Sequence, residues 1–472
     1  MIVSRNLKIS VFILCLCSVA AMYFRADTLS WDRAALALAI AWVGFIPGLV
    51  FLATLHSQRD PFPLMPYVGL FYAVFFGLSG FTGAYLRNND SGMIRFFGQS
   101  YLDQISVDAQ VLALIGVALM LSIWAITKQL FSSWIPRYAL PNLYPAWRLQ
   151  VLIWGLVIFN LLYIHLPFIR SLPSIGQFLQ PAGYVGFALM LAMNYKGDFP
   201  RWQIYAYFGI ALPLWVGGLL VTGSLTPLML VAGLWIAVHL YFIGRLPWKW
   251  LLVSALMLVL AYPMMSGFRG LTWTGGPSQS VVQKLGQIDD AVEGLLSLRG
   301  AQLYERSTGI FRRSGLIFTF SHVVEETPQK VPYWKGETYR PMVTSWVPRV
   351  LWRDKPEEKA GYAFGARYAL IGVSNTHMSY NLPWLTELYA NFGLIGVILG
   401  MPLIGLFLGL LDCIFNKRGL SALEYGVGAA VLLPLTFQES NFTLMTGSLL
   451  PLAICLWLYF SIGLRFMTRK AL

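Results

Sequence analysis

Runs of about twenty apolar residues recur along most of this chain, and that repetition leaves little choice of fold. Backbone N–H and C=O groups inside lipid must bond within their own segment, so a run of this length crosses a membrane as a helix. Such runs lie at roughly 8–24, 34–55, 64–85, 109–127, 149–167, 174–194, 203–221, 225–243, 251–267, 383–411, 421–439 and 445–464. They predict an all-α, polytopic membrane protein with about twelve transmembrane helices. Composition agrees: hydrophobic residues are 57% of the chain and charged residues 12%, roughly half the charge of a soluble domain. One long stretch breaks the pattern. The chain therefore divides into nine helices over 1–267, a large polar loop over 268–381 and three helices over 382–472.

Lys and Arg favour cytoplasmic loops. With the N-terminus inside, the inner segments collect fifteen of them and the short outer loops five. Both termini are expected in the cytoplasm and the 268–381 loop on the outer face, because long loops translocate largely regardless of charge. Arg5 and Lys8 before the first apolar run give it the outline of a signal peptide. With many spans following, an uncleaved first helix is expected. The net charge of +13 is spread over the short inter-helix loops and the insertion, so nucleic acid is not an expected partner, whereas membrane lipids are. The insertion holds fourteen basic and ten acidic residues, a modest excess that suits an anionic partner.

Within the insertion, Val281, Val282, Leu285, Ile288, Val292, Leu295 and Leu296 predict an amphipathic helix over about 278–298. A second is predicted over about 305–326, with Ile310, Phe311, Ile317, Phe318 and Phe320. Prolines 328, 332, 341, 348 and 356 then impose an extended, turning path. Trp334, Trp346 and Trp352 are side chains that settle at a membrane interface. Packing on the outer rim of the bundle accounts equally for the apolar faces of both helices. Gly396, Gly400, Gly405 and Gly409 predict close helix packing.

Candidate chemistry gathers in and beside this loop. Glu387 comes early in an apolar run, where a carboxylate costs roughly 2.5–3.5 kcal/mol unless it faces protein or water. Glu439 sits at the end of the next run. Either could equally be a helix-end carboxylate. His377 is a candidate base or donor, and His322 lies in the second helical stretch; a satisfied structural histidine is the plain reading of both. Arg269, Arg312, Arg313, Arg340, Arg349, Arg353 and Arg367, with Lys355, supply cations. Guanidinium grips phosphate through paired hydrogen bonds, although about half of these residues would serve as well for anchoring to head groups. The cysteines, Cys15, Cys17, Cys413 and Cys455, lie outside the loop and offer it no disulfide. There is no CxxC pair, His/Cys cluster or DxD pair for a metal, and no phosphate-binding GxxxxGK[ST] loop. HExxH and GxSxG are missing from the outer segments. No cofactor or metal is expected.

Three segments taken together resemble a known family: Val347-Pro-Arg-Val-Leu-Trp-Arg-Asp-Lys-Pro356, Phe364-Gly-Ala-Arg-Tyr368 and Glu387-Leu-Tyr-Ala-Asn-Phe-Gly-Leu-Ile-Gly396. The C-terminal third resembles bacterial O-antigen and exopolysaccharide repeat-unit polymerases of the Wzy type. The first 260 residues share only the polytopic pattern. The resemblance implies a metal-independent glycosyltransferase at the outer face of the inner membrane. Its substrate would be an undecaprenyl-pyrophosphate-linked oligosaccharide, passed to another lipid-linked repeat unit, with a chain-length regulator and a flippase as partners. Outer-loop arginines matter in that family, a role that transfers to Arg349 and less directly to Arg269, Arg312, Arg313 and Arg367. Glu387 or His377 would be the base toward the acceptor hydroxyl. Arg349, Arg312 and Arg313, with Arg340, Arg367 and Lys355, would hold the pyrophosphate. O-antigen ligase is the related alternative. A flippase or a scaffold would be of another class, and the almost uncharged middles of the spans weigh against a translocation path.

Overall fold

The computed structural model describes residues 5–25, 31–54, 60–80, 105–142, 144–170, 176–220, 224–249, 251–254, 315–345, 347, 352, 359–371 and 379–466. The described residues form helices and turns, with no strand among them. Among the described residues seven helices are long and apolar enough to cross a membrane: Trp31–Ala53, Val107–Phe131, Ala146–His165, Arg201–Leu220, Thr226–Ile243, Trp384–Phe415 and Phe442–Arg465. This is fewer than the twelve expected. Lys8–Ala20, Leu64–Leu78 and Ala422–Thr436 are apolar but shorter. Gly176–Lys196 is long enough, but Gln177, Gln180 and Asn194 dilute its apolar character. Most of the expected 251–267 run lies outside the described residues, as does the expected helix near 278–298.

The Trp384–Phe415 helix packs along Val107–Phe131. Its two sides differ sharply. Ile395, Leu399 and Leu403 recur every fourth residue and are exposed. In water they would be an uncovered apolar stripe; against lipid they are an ordinary outer face. The opposite side carries Met401, Gly405, Leu408 and Gly409, all buried. A β-carbon at Gly405 would strike the Met120 carbonyl oxygen, and one at Gly409 would come 2.8 Å from the Thr127 β-carbon. The small residues let the two backbones meet, as their spacing predicts. Trp31–Ala53 meets Leu64–Tyr72 in the same manner, Gly44 facing Gly69.

The Leu316–Glu326 helix differs from the surface element that its sequence suggests. Leu316, Ile317, Phe318, Thr319, Phe320 and Ser321 are all buried, on both sides of the helix. It lies against Val107–Phe131, Trp384–Phe415 and the π-helical turn Ala73–Leu78. Phe320 sits edge-on to Tyr389 and to Phe76. This part of the loop is a component of the bundle core. Its two hydroxyls are absorbed locally: Ser321 donates to the Ile317 carbonyl at 2.8 Å, and Thr319 pairs with the Tyr380 hydroxyl at 3.3 Å.

Gly405→Ala is expected to destabilise the purified chain by about 1–3 kcal/mol through overpacking. Gly48→Ala, where an added methyl meets nothing within 4 Å, should be neutral or raise stability by up to about 1 kcal/mol. Thermal unfolding in detergent, followed by tryptophan fluorescence, checks the contrast.

Candidate functional site

The segment Glu387-Leu-Tyr-Ala-Asn-Phe-Gly393 runs from the end of the first turn of the Trp384–Phe415 helix to a break in it. Gly393 has φ 60° and ψ −143°, a backbone conformation that only glycine adopts cheaply. A β-carbon there would also come 2.5 Å from the Tyr333 hydroxyl. The break withdraws helical partners from the carbonyls just before it. The polar loop supplies replacements: Trp334 N–H donates to the Ala390 carbonyl and Lys335 N–H to that of Asn391, each at 3.1 Å. A buried carbonyl left unpaired would cost about 1–3 kcal/mol, so break and loop require each other.

Asn391 completes the junction. Its side-chain amide donates to the Thr338 hydroxyl at 2.9 Å and to the Glu387 carbonyl at 2.8 Å. Its carbonyl oxygen accepts the Gly336 N–H at 2.9 Å. Thr443 donates to the Thr338 carbonyl at 3.2 Å, which ties the same loop residue to the Phe442–Thr446 helix. The Tyr339 and Phe392 rings stack nearly parallel, and Phe442 packs edge-on between Tyr339 and Trp384. Burial, assisted by the charge of Glu387, raises the Tyr339 phenol well above its ordinary range, so this residue stays neutral at any physiological pH.

Glu387 is fully enclosed, and its carboxylate accepts the Phe442 N–H at 2.7 Å. It therefore joins the start of one apolar helix to the start of another. Glu439, also buried, accepts from the Asn381 side-chain amide. His322 bonds the Tyr368 carbonyl through Nε2 at 3.0 Å, in keeping with a structural histidine.

In front of this junction is a cavity of about 330 Å³, lined by Trp334, Glu337, Thr338, Pro341, Lys359, Ala360, Ala363 and Arg367. The Ala360–Arg367 helix brings Lys359 and Arg367 to it. Arg367 donates to the Pro332 carbonyl at 2.6 Å, and its guanidinium lies 5.1 Å from the centre of the Trp334 ring. Both contacts fix its orientation and leave its charge in place. Arg340 is exposed at the start of the Arg340–Ser345 helix and does not line the cavity. Arg269, Arg312, Arg313, Arg349, Lys355 and His377 lie outside the described residues.

Of the expected site residues the structure brings Arg367 to the cavity and sets Glu387 behind its Thr338 floor. Lys359, Trp334, Thr338 and Asn391 join them. Asn391 stands in the Glu387–Gly396 segment, but a neutral amide beside a carboxylate and seven candidate arginines draws no notice. Lys359 carries no motif of its own. Among the described residues no group of His, Cys, Asp and Glu is arranged to hold a metal.

Asn391→Ala should leave Thr338 and Gly336 without their partner, cost about 1–3 kcal/mol and speed limited proteolysis within residues 334–345. Gly393→Ala should do the same through backbone strain of about 1–3 kcal/mol. Unchanged cleavage in both variants would mean that the junction does not hold the loop.

A family model described as a domain of unknown function, DUF8712, matches residues 229–446, which include this junction and the cavity in front of it. No curated protein and no solved structure matches the chain.

Proposed function

We propose that this chain is a membrane-embedded, metal-independent glycosyltransferase of the Wzy type in a bacterial inner membrane. It would join undecaprenyl-pyrophosphate-linked repeat units into O-antigen or exopolysaccharide. The same proposal includes about twelve spans, both termini in the cytoplasm and an outward-facing 268–381 loop, with a flippase and a chain-length regulator as partners. One observation carries it. The family-like segments around Arg367 and Glu387, which are separate in sequence, both reach the same loop residues, Trp334 to Thr338, beside a cavity that holds Lys359 and Arg367. Its volume is at the lower end of ligand-pocket sizes, suited to a head group.

In this mechanism an acceptor hydroxyl oxygen attacks the anomeric carbon. The bond from that carbon to the pyrophosphate oxygen breaks, and the pyrophosphate leaves with the electron pair. Arg367 and Lys359 would meet the developing charge at the cavity, with Arg349, Arg312, Arg313, Arg269, Arg340 and Lys355 as further cations of the same loop. Fixed cations do this without a metal. The sugar passes through an oxocarbenium-like state. A base must come within about 3 Å of the hydroxyl it deprotonates. Glu387 is enclosed and occupied by the Phe442 N–H, so we assign it a positioning role, and the base to His377.

The test is a strain lacking the chain, complemented with variants and read on a glycan gel. The double variant Lys359→Ala, Arg367→Ala should lower polymer about 10²-fold or more and accumulate single repeats on the carrier. Glu387→Gln should keep polymer, because an amide oxygen still accepts the Phe442 N–H, whereas Glu387→Ala should lose it together with protein stability. Full polymer from the double variant at normal protein level would sink the assignment. Long polymer left on the carrier would indicate a ligase, and failure to translocate single repeats an exporter.

A further inference from the structure

A second and larger cavity shares no lining residue with this site. It is a groove of about 1260 Å³ between the Trp31–Ala53 and Val107–Phe131 helices. Asp412 borders it and Glu387 borders the junction, and these residues lie 25 positions apart in the chain. The chain turns back at Gly393 between them, because a β-carbon on Gly396 would strike the Leu388 carbonyl oxygen and one on Gly400 the Leu388 side chain. Asp412 lies 12 residues beyond Gly400, about 18 Å along the helix from the level that Leu388 reaches.

Its walls and its mouth differ in chemistry. Val43, Ile46, Pro47, Val50 and Phe51 form one wall, and Ala118, Leu121 and Ala125 the other. Ile46 and Val50 are more than half exposed, toward what must be lipid. From Ala118 to Lys128 the wall runs ten residues, about 15 Å, which is half of the roughly 30 Å hydrocarbon thickness. The apolar part is therefore one leaflet deep.

At the mouth stand Lys128, Arg137, Lys417 and Arg418 against Asp60 and Asp412, an excess of two positive charges. The two carboxylates are both spent on Lys128, which lies 2.7 Å from each. Asp412 also accepts from the Trp124 indole at 3.2 Å and from Asn416 at 2.5 Å. Lys417 is held by the Ile135 carbonyl at 2.8 Å and Arg137 by the Gly419 carbonyl at 3.2 Å, contacts that position a charge without neutralising it. Arg137 also leans toward Glu424 at 3.8 Å, outside the groove. Arg418 is exposed at the rim.

We infer that this groove is a binding site for a glycerophospholipid with an anionic head group. One acyl chain lies between the two helices, and the phosphate meets Lys417, Arg418 and Arg137. A soluble anion would use the mouth and leave the leaflet-deep apolar walls uncovered. A zwitterionic lipid would fill the walls but bring no net charge to the mouth. The inference does not depend on the glycan chemistry proposed for the junction.

Native mass spectrometry of the purified full-length chain in mild detergent tests it, with three probes: phosphatidylglycerol, phosphatidylcholine of the same acyl chains, and inorganic phosphate. Phosphatidylglycerol should be retained at least about fivefold more than phosphatidylcholine, and phosphate should give no adduct. Arg418→Ala should lower phosphatidylglycerol retention about fivefold, the effect of one cation at an anionic surface. Ala125→Trp, at an exposed wall position that carries no charge, should abolish it by filling the groove. Equal retention of the two lipids, or undiminished retention in both variants, overturns the site. Phosphate bound as strongly as the lipid makes it a soluble-anion site and overturns the lipid assignment.

Discussion

Lipid does not forgive an unpaired backbone group, and the architecture around Gly393 follows from that single constraint. A helix that breaks where it is buried in an apolar bundle has carbonyls to satisfy and no water to do it. Here the loop segment Trp334–Lys335 provides the donors. The polar insertion is thus bound to the bundle through main-chain bonds rather than through side chains alone. Asn391 then aligns the next residues, and Thr338 is held from two helices at once. The cavity lined by Lys359 and Arg367 has its shape because its floor is anchored to the end of a transmembrane helix.

The bundle itself was largely legible. Apolar runs gave away the helices because nothing else can bury so much hydrocarbon, and the glycines at 405 and 409 announced a close helix pair that Met120 and Thr127 complete. The span count was less legible. Ala422–Thr436 is as apolar as its neighbours but stops short, in a 3-10 turn at Leu433–Thr436, and the described part of the run from Leu64 ends at residue 80. A 3-10 ending depends on tertiary packing and leaves no mark in a hydropathy pattern. The helix expected over about 305–326 from its spaced apolar residues is, in its described part, Leu316–Glu326, where Thr319, Ser321 and His322 are buried or half-buried. Each of these finds its partner inside the protein, which sequence periodicity cannot reveal.

The site was legible in its residues and not in their roles. Glu387 stood out because a carboxylate in an apolar run needs a reason, and the reason the structure supplies is the Phe442 N–H, 55 positions away. Arg367 stood out as one of many cations; its place beside Trp334 comes from a turn of chain that no motif encodes. The charged pair at the groove, Lys128 with Asp412, sits at the last turns of two apolar runs. There a lone ionisable residue reads as the beginning of a loop.

That pair has a consequence for how the chain is made. Asp60 precedes Lys128 during synthesis and can accompany it at once, but Asp412 arrives 284 residues later. At roughly 5–20 residues per second this is an interval of about 15–60 s. Throughout it the Val107–Phe131 helix sits in the bilayer with half of its ionic partnership missing and its close-packing face open. Arrival of the Trp384–Phe415 helix closes both together. The bridge is thereby a latch on a nearly finished polypeptide, and a chain truncated before it would display an open seam that membrane quality control can read.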